Sequence, residues 1–305
     1  MPSLWILAAA WASAASYACV NFLAGACTFF ELLFAKYLVI ASLAALQLAR
    51  SGAGLRSPVP GLQARRVLAA LTAAFCFMLA AVHLPVAYTT CCEYSVSLFI
   101  CAAVCFRSLR DGSGIPWKQA ALVIAGFAGI LLMQRPDAGL DINRGMLWVG
   151  LAGGLAATIG TLTLRRLGDA GEPASRTVFY FAATCLLASF AGVASENGLS
   201  GIRWAAVLSP ALMLPGLFTL CSQFGKAIGW GKGALLPNAV LSMTGLPFAF
   251  AIDWLLFGRT FSGAAAVGMG LIAACAFLSC LQKPGLPGGT ARAGSHLPAS
   301  RIRQK

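Results

Sequence analysis

The stretch Ala87–Arg107, AYTTCCEYSVSLFICAAVCFR, is apolar over most of its length yet holds a carboxylate, Glu93. It is close to the ~20 residues that a helix needs to span bilayer hydrocarbon. At helical spacing Thr90, Glu93, Tyr94, Ser97 and Cys101 share one face, while Val96, Leu98, Phe99, Ala103, Val104 and Phe106 cover the rest. A carboxylate turned toward lipid costs at least ~2.5 kcal/mol. The polar stripe is therefore expected to face other helices or a water-filled cavity. Glu93 becomes a candidate for the functional site.

The rest of the chain suits the same solvent. Of its 305 residues, 59% are hydrophobic and only 10% are charged, against about 25% charged in soluble domains. Mean hydropathy is +0.81. The expectation is an all-α polytopic membrane protein with the lipid bilayer as a partner. The N-terminal MPSLWILAAAWASAASYACVNFLA has no basic leader and outlasts a secretory signal core, so it reads as a first membrane helix. Cys19, Cys76, Cys101, Cys105, Cys185, Cys221 and Cys275 lie in apolar runs and act as small hydrophobes. Adjacent Cys91 and Cys92 have no histidine cluster beside them, so no metal or other cofactor is expected.

Apolar runs between short polar loops predict ten transmembrane helices. They cover Leu4–Leu23, Phe29–Ala49, Val67–Val86, Ala87–Phe106, Trp117–Gln134, Met146–Leu164, Val178–Ala194, Trp204–Phe224, Ala234–Phe257 and Phe261–Leu281. Ser209-Pro210, Leu214-Pro215, Pro237 and Pro247 are expected to interrupt helices eight and nine. Gly150-xxx-Gly154 and Gly225-xxx-Gly229 offer close helix packing. The polar end Pro284–Lys305 reads as a disordered cytoplasmic tail.

With the N-terminus cytoplasmic, the inside loops and the tail hold 17 of the 22 basic residues, Arg65, Arg66 and Lys226 among them. Both termini are then cytoplasmic. The net charge of +13 is explained by anionic lipid at that surface, with no nucleic acid partner. Dividing the chain at 1–140 and 141–283 leaves five helices in each part, with 284–305 as the tail. An odd number per part gives opposite orientations, the inverted-repeat plan of many transporters.

Several runs carry a family resemblance. QAALVIAGFAGILLMQRP (Gln119–Pro136), FELLFAKYLVIASLAAL (Phe30–Leu46), GLAATIGTLTLRRLG (Gly154–Gly168) and IDWLLFGRTFSGAAAVGMGLIAACAFL (Ile252–Leu278) resemble helices of the drug/metabolite transporter superfamily. The likeness is to its ten-helix EamA-like branch and extends to about Leu281. It implies two inverted five-helix EamA-like repeats, a cytoplasmic (inner) membrane location, and transport or export of small metabolites. The chain departs from the pattern at Arg259, where many members have Glu, and at Asp253, where many have Gly.

Lys36 and Glu93 each sit some way into a helix from the same end, roughly 10 Å deep. Equal depth and opposite charge predict a pair across helices two and four. Lys36 would bind an anionic substrate group, and Glu93 would bind an amine or carry the coupling proton; a permanent structural ion pair is the alternative. Further substrate-binding candidates are Trp11, Tyr17, Asn21, Tyr94, Gln223 and Asn238. Trp11 and Tyr94 could stack on a ring or simply pack, whereas a buried Gln or Asn amide needs several partners. Ser and Thr side chains are expected mainly to bond within or between helices.

No Walker A loop and no assembled Ser/His/Asp set is legible, so the chain is not expected to be an enzyme. The expected function is secondary active transport, most simply export, of a small polar metabolite such as an amino acid or related compound by alternating access. A homodimer is compatible with this. The alternatives are a drug or nucleotide-sugar type carrier, a membrane enzyme and a non-transporting membrane protein.

Overall fold

A computed structural model of the chain describes residues 2–23, 27–83, 86–112, 114–133, 144–198, 203–257 and 263–281. The junction near residue 140, the turn around Arg259 and the tail 284–305 lie outside them, as do the side chains of Tyr17, Asn21, Thr90 and Asp253. Every described secondary-structure element is a helix: α1 (Pro2–Leu23), α2 (Phe29–Arg50), α3 (Pro60–His83), α4 (Val86–Arg110), α5 (Trp117–Met133), α6 (Arg144–Asp169), α7 (Ala174–Asn197), α8 (Trp204–Val207), α9 (Pro210–Lys232), α10 (Leu235–Ser242), α11 (Gly245–Phe257) and α12 (Gly263–Leu281).

Seven of them, α1, α2, α3, α4, α6, α7 and α9, are long and apolar enough to cross a membrane. Trp148, Phe106 and Leu187 are each about 70% exposed, a surface that suits lipid contact. The chain is a multi-pass membrane protein.

Local chemistry sets the helix ends. Thr28 caps α2 in a reciprocal capping box: its hydroxyl accepts from the Glu31 N–H at 3.3 Å, and the Glu31 carboxylate accepts from the Thr28 N–H at 3.0 Å. The expected eighth and ninth segments are each divided. Ser209 caps α9 and Pro210 opens it, separating it from α8. The ninth breaks at Met243-Thr244, between α10 and α11. Pro237 and Pro247 fall in the first turns of α10 and α11, where a missing N–H costs nothing. These prolines therefore start helices instead of interrupting them. Pro215 alone remains inside a helix, buried in α9.

The closest helix pairs are α1 with α9, α3 with α6, α2 with α7 and α5 with α12. Glycine permits the first two approaches. A Cβ on Gly225 would stand 2.6 Å from the Trp5 carbonyl oxygen, and one on Gly229 2.5 Å from Ile6 Cγ1. On α6, a Cβ on Gly153 would stand 2.9 Å from Cys76 Cβ of α3, and one on Gly150 would stand 2.8 Å from Cys92 Sγ of α4. Hydroxyls join the helices as expected: Ser13 bonds Ser222 at 2.6 Å, Ser16 bonds Thr219 at 2.8 Å, and Ser97 donates to the Ala239 carbonyl at 3.0 Å.

Candidate functional site

Two ionic assemblies mark opposite ends of α2. At the start of α2, the fully buried Glu31 carboxylate accepts a fork of hydrogen bonds from Arg203, at 2.9 and 2.5 Å. The carboxylate bond holds the Arg203 guanidinium above its usual pKa. Burial, and then the Glu31 charge, pushes the neighbouring Cys27 thiol up. At the far end of α2, the 51–58 loop is bonded to the α6–α7 turn and α7. Ser57 donates to Glu172, Arg176 donates to Glu172 at 2.8 Å and to the Gly54 carbonyl at 2.8 Å, and Tyr180 donates to the Leu55 carbonyl.

Between these ends lies the interior site. Tyr37 on α2 and Phe181 on α7 meet edge to face with ring centroids 5.8 Å apart. The Lys36 ammonium stands 5.9 Å from the Tyr37 ring, and the Arg66 guanidinium 5.4 Å from the Phe181 ring. Cys185, buried on α7, bonds Tyr37 and lies in the fields of both cations. Lys226 on α9 interacts electrostatically with Lys36, Arg66 and Glu93. Arg66 is only 8% exposed, and its buried Nε has no hydrogen-bond partner.

The compensation is incomplete. A cation–π contact contributes about 0.5–2 kcal/mol, whereas burying an ion costs several kcal/mol. None of the ion pairs formed among the described residues includes Lys36, Arg66, Lys226 or Glu93. Arg66, buried, and Lys36, Lys226 and Glu93, half-buried, thus share one electrostatic region with no ion pair among them.

This corrects two expectations. The Lys36–Glu93 pair is not formed at ion-pair distance. Helix α2 packs chiefly on α7 and α9, whereas α4 packs on α6, α10 and α5, so equal depth does not bring the two charges into contact. Arg66 and Lys226 are also not loop residues. Helix α3 begins at Pro60 and α9 runs to Lys232, which carries both cations inside helices. The signal for them was available: Arg66 directly abuts the apolar run from Val67, and Lys226 follows Phe224 by two residues.

The other candidates are dispersed. Tyr94 and Ser97 do face the interior, with the Tyr94 hydroxyl beside Gly245 and Ser97 bonded to α10. Trp11 is 42% exposed and stacks on Phe248, centroids 5.0 Å apart. Gln223 is half-buried on α9, without a hydrogen-bond partner among the described residues. Asn238 is fully buried and donates to the Gly229 carbonyl at 2.8 Å, clasping the α9–α10 junction, while its Oδ1 is unpartnered.

A cavity of about 180 Å³ opens at the α6–α7 turn, lined in part by Thr177, Ala227 and Lys232. Thr177 accepts from the Gln63 amide at 3.2 Å, and Gln63 precedes Arg66 by about one helical turn. The opening is thus linked through Thr177 and Gln63 to the helix that carries Arg66.

No family model matches the chain, and no curated protein matches it. Solved structures do match. One, described only as "Crystal structure of protein", superposes with a TM-score of 0.74 at 18% identity, over 92% of this chain and 98% of that one. At that identity the likeness is one of fold alone.

Proposed function

We propose that the chain is a secondary active transporter, working as an exporter of small polar metabolites across the cytoplasmic membrane. The observation that carries this reading is the set of charges without ion pairs in the helical interior: Lys36, Arg66, Lys226 and Glu93. Ionisable groups inside a membrane bundle are expensive, and they mark substrate or ion pathways.

Two inverted five-helix repeats would place the site at their interface. The packing supports such a plan. Let α1, α2, α3, α4 and α5 exchange with α6, α7, α8–α9, α10–α11 and α12. The α1–α9 pair then becomes α6–α3, and the contact of α1 with α10 and α11 becomes that of α6 with α4. The α2–α7 and α5–α12 pairs map onto themselves. These relations agree with the ten-helix EamA-like resemblance. Arg50, Arg56, Arg65, Arg165, Arg166 and Arg176, in the 51–58 loop and in the helix ends around it and the α6–α7 turn, favour placing that end in the cytoplasm, with both chain termini there too.

In this reading the two repeats rock about the charged site. Glu93 serves as the coupling-proton group, and Lys36 binds an anionic group of the substrate. Flux of a broad metabolite panel in proteoliposomes tests it. Uptake or counterflow of at least one solute is expected, reduced at least tenfold in Lys36→Met and made independent of pH in Glu93→Gln. Absence of flux for the whole panel overturns transport, and pH-dependent flux that survives in Glu93→Gln removes it as the proton site.

A further inference from the structure

We propose that the substrate is a small organic dianion, a dicarboxylate or a phosphate monoester, held between Lys36, Arg66 and Lys226; this rests on the transport reading above. The geometry is that of a cationic cluster lacking its counter-charge. Lys36 and Arg66 flank one aromatic pair, Tyr37 and Phe181, and both lie in the field at Cys185. Lys226 reaches the same region from α9 and interacts with both. Glu93 is the one carboxylate among the described side chains that shares their field. The count leaves two positive charges in excess.

Arg66 carries the argument further. A guanidinium keeps its charge at any physiological pH, so it cannot escape burial by losing a proton. Its side chain is more than nine-tenths buried, its Nε is unpartnered, and it forms no ion pair with any described residue. Guanidinium geometry suits carboxylate and phosphate oxygens, which accept its parallel N–H groups. The opening at the α6–α7 turn is bordered by Thr177, which accepts from Gln63 about one helical turn before Arg66. A zwitterion would cancel only one charge and bring another cation, and a diamine would add to the excess. A doubly charged anion closes the balance with Glu93 still ionised.

The test uses the purified full chain with succinate, glycerol 3-phosphate, glutamine, putrescine and mannitol as probes. Equilibrium binding and flux in proteoliposomes are measured for each. Binding and flux of one or both dianions, at least tenfold above the other probes, are expected; the preferred dianion distinguishes the carboxylate from the phosphate source. Arg66→Gln and Lys226→Met should each weaken dianion binding at least tenfold, while Lys226→Arg retains it. Thermal unfolding of each variant separates lost binding from lost fold. Dianion binding without flux supports the site and overturns transport. Flux of glutamine, putrescine or mannitol without dianion binding supports transport and overturns the dianion. Neither binding nor flux overturns both.

Discussion

Glu31 and Arg203 show how much one buried residue depends on its partner. The Glu31 carboxylate is fully buried and is satisfied by the Arg203 fork together with the Thr28 N–H. Removing one partner of such a pair leaves an uncompensated charge, which costs more than the pair itself contributes. Arg203→Ala is expected to lower the thermal midpoint in detergent, and adding Glu31→Gln should recover part of the loss. Equal midpoints for wild type and Arg203→Ala would show that the pair does not hold α2. Lys36 and Glu93 were legible in the sequence because a charge within an apolar run is anomalous. Arg66 and Lys226 were legible only as cations at the edges of apolar runs, and such a cation looks like a loop residue until the helix is seen to extend past it. Glu31 lies inside the second predicted helix, but its partner Arg203 stands 172 residues away and only the fold brings the two together.

The helices divide into those specified by local chemistry and those specified by neighbours. Apolar length and capping placed most of them. Thr28 and Ser209 act on their own first turns, so their signals can be read along the chain. The break at Met243-Thr244 carries no such local stop, and the prolines lie in the first turns that follow the breaks. Glycine contacts also needed the neighbour. Gly225→Ala sets a methyl against the Trp5 carbonyl, which no rotamer change relieves, and Gly229→Val drives into Ile6. Each is expected to destabilise the fold by about 1–3 kcal/mol through overpacking, read as a lower thermal midpoint. Gly270→Ala on α12 meets nothing within 4 Å and is the control, with no loss expected. A loss at Gly270 as large as at Gly225 would refute close packing as the cause.

At the scale of the molecule, the proposed alternating access requires the two ends of the bundle to open in turn. The end with the 51–58 loop is latched to the start of α7, where the Ser51 and Ser175 hydroxyl oxygens are 3.3 Å apart. Side chains that close are near the geometry a disulfide needs. Ser51→Cys with Ser175→Cys is expected to abolish flux when oxidised and to restore it with reductant. Full flux in the oxidised variant would mean that this end does not open during transport. The sequence by itself determined the solvent, the apolar segments and the two anomalous charges, because hydropathy and helical period act along the chain. Only the tertiary structure decided the makeup of the site. It moved Arg66 and Lys226 into the interior, kept Lys36 from pairing with Glu93, and assigned Asn238 to a helix junction. The physical reason is that a charge balance belongs to a volume filled by four or more helices, and membership in that volume depends on which helices pack together, not on depth along any one of them.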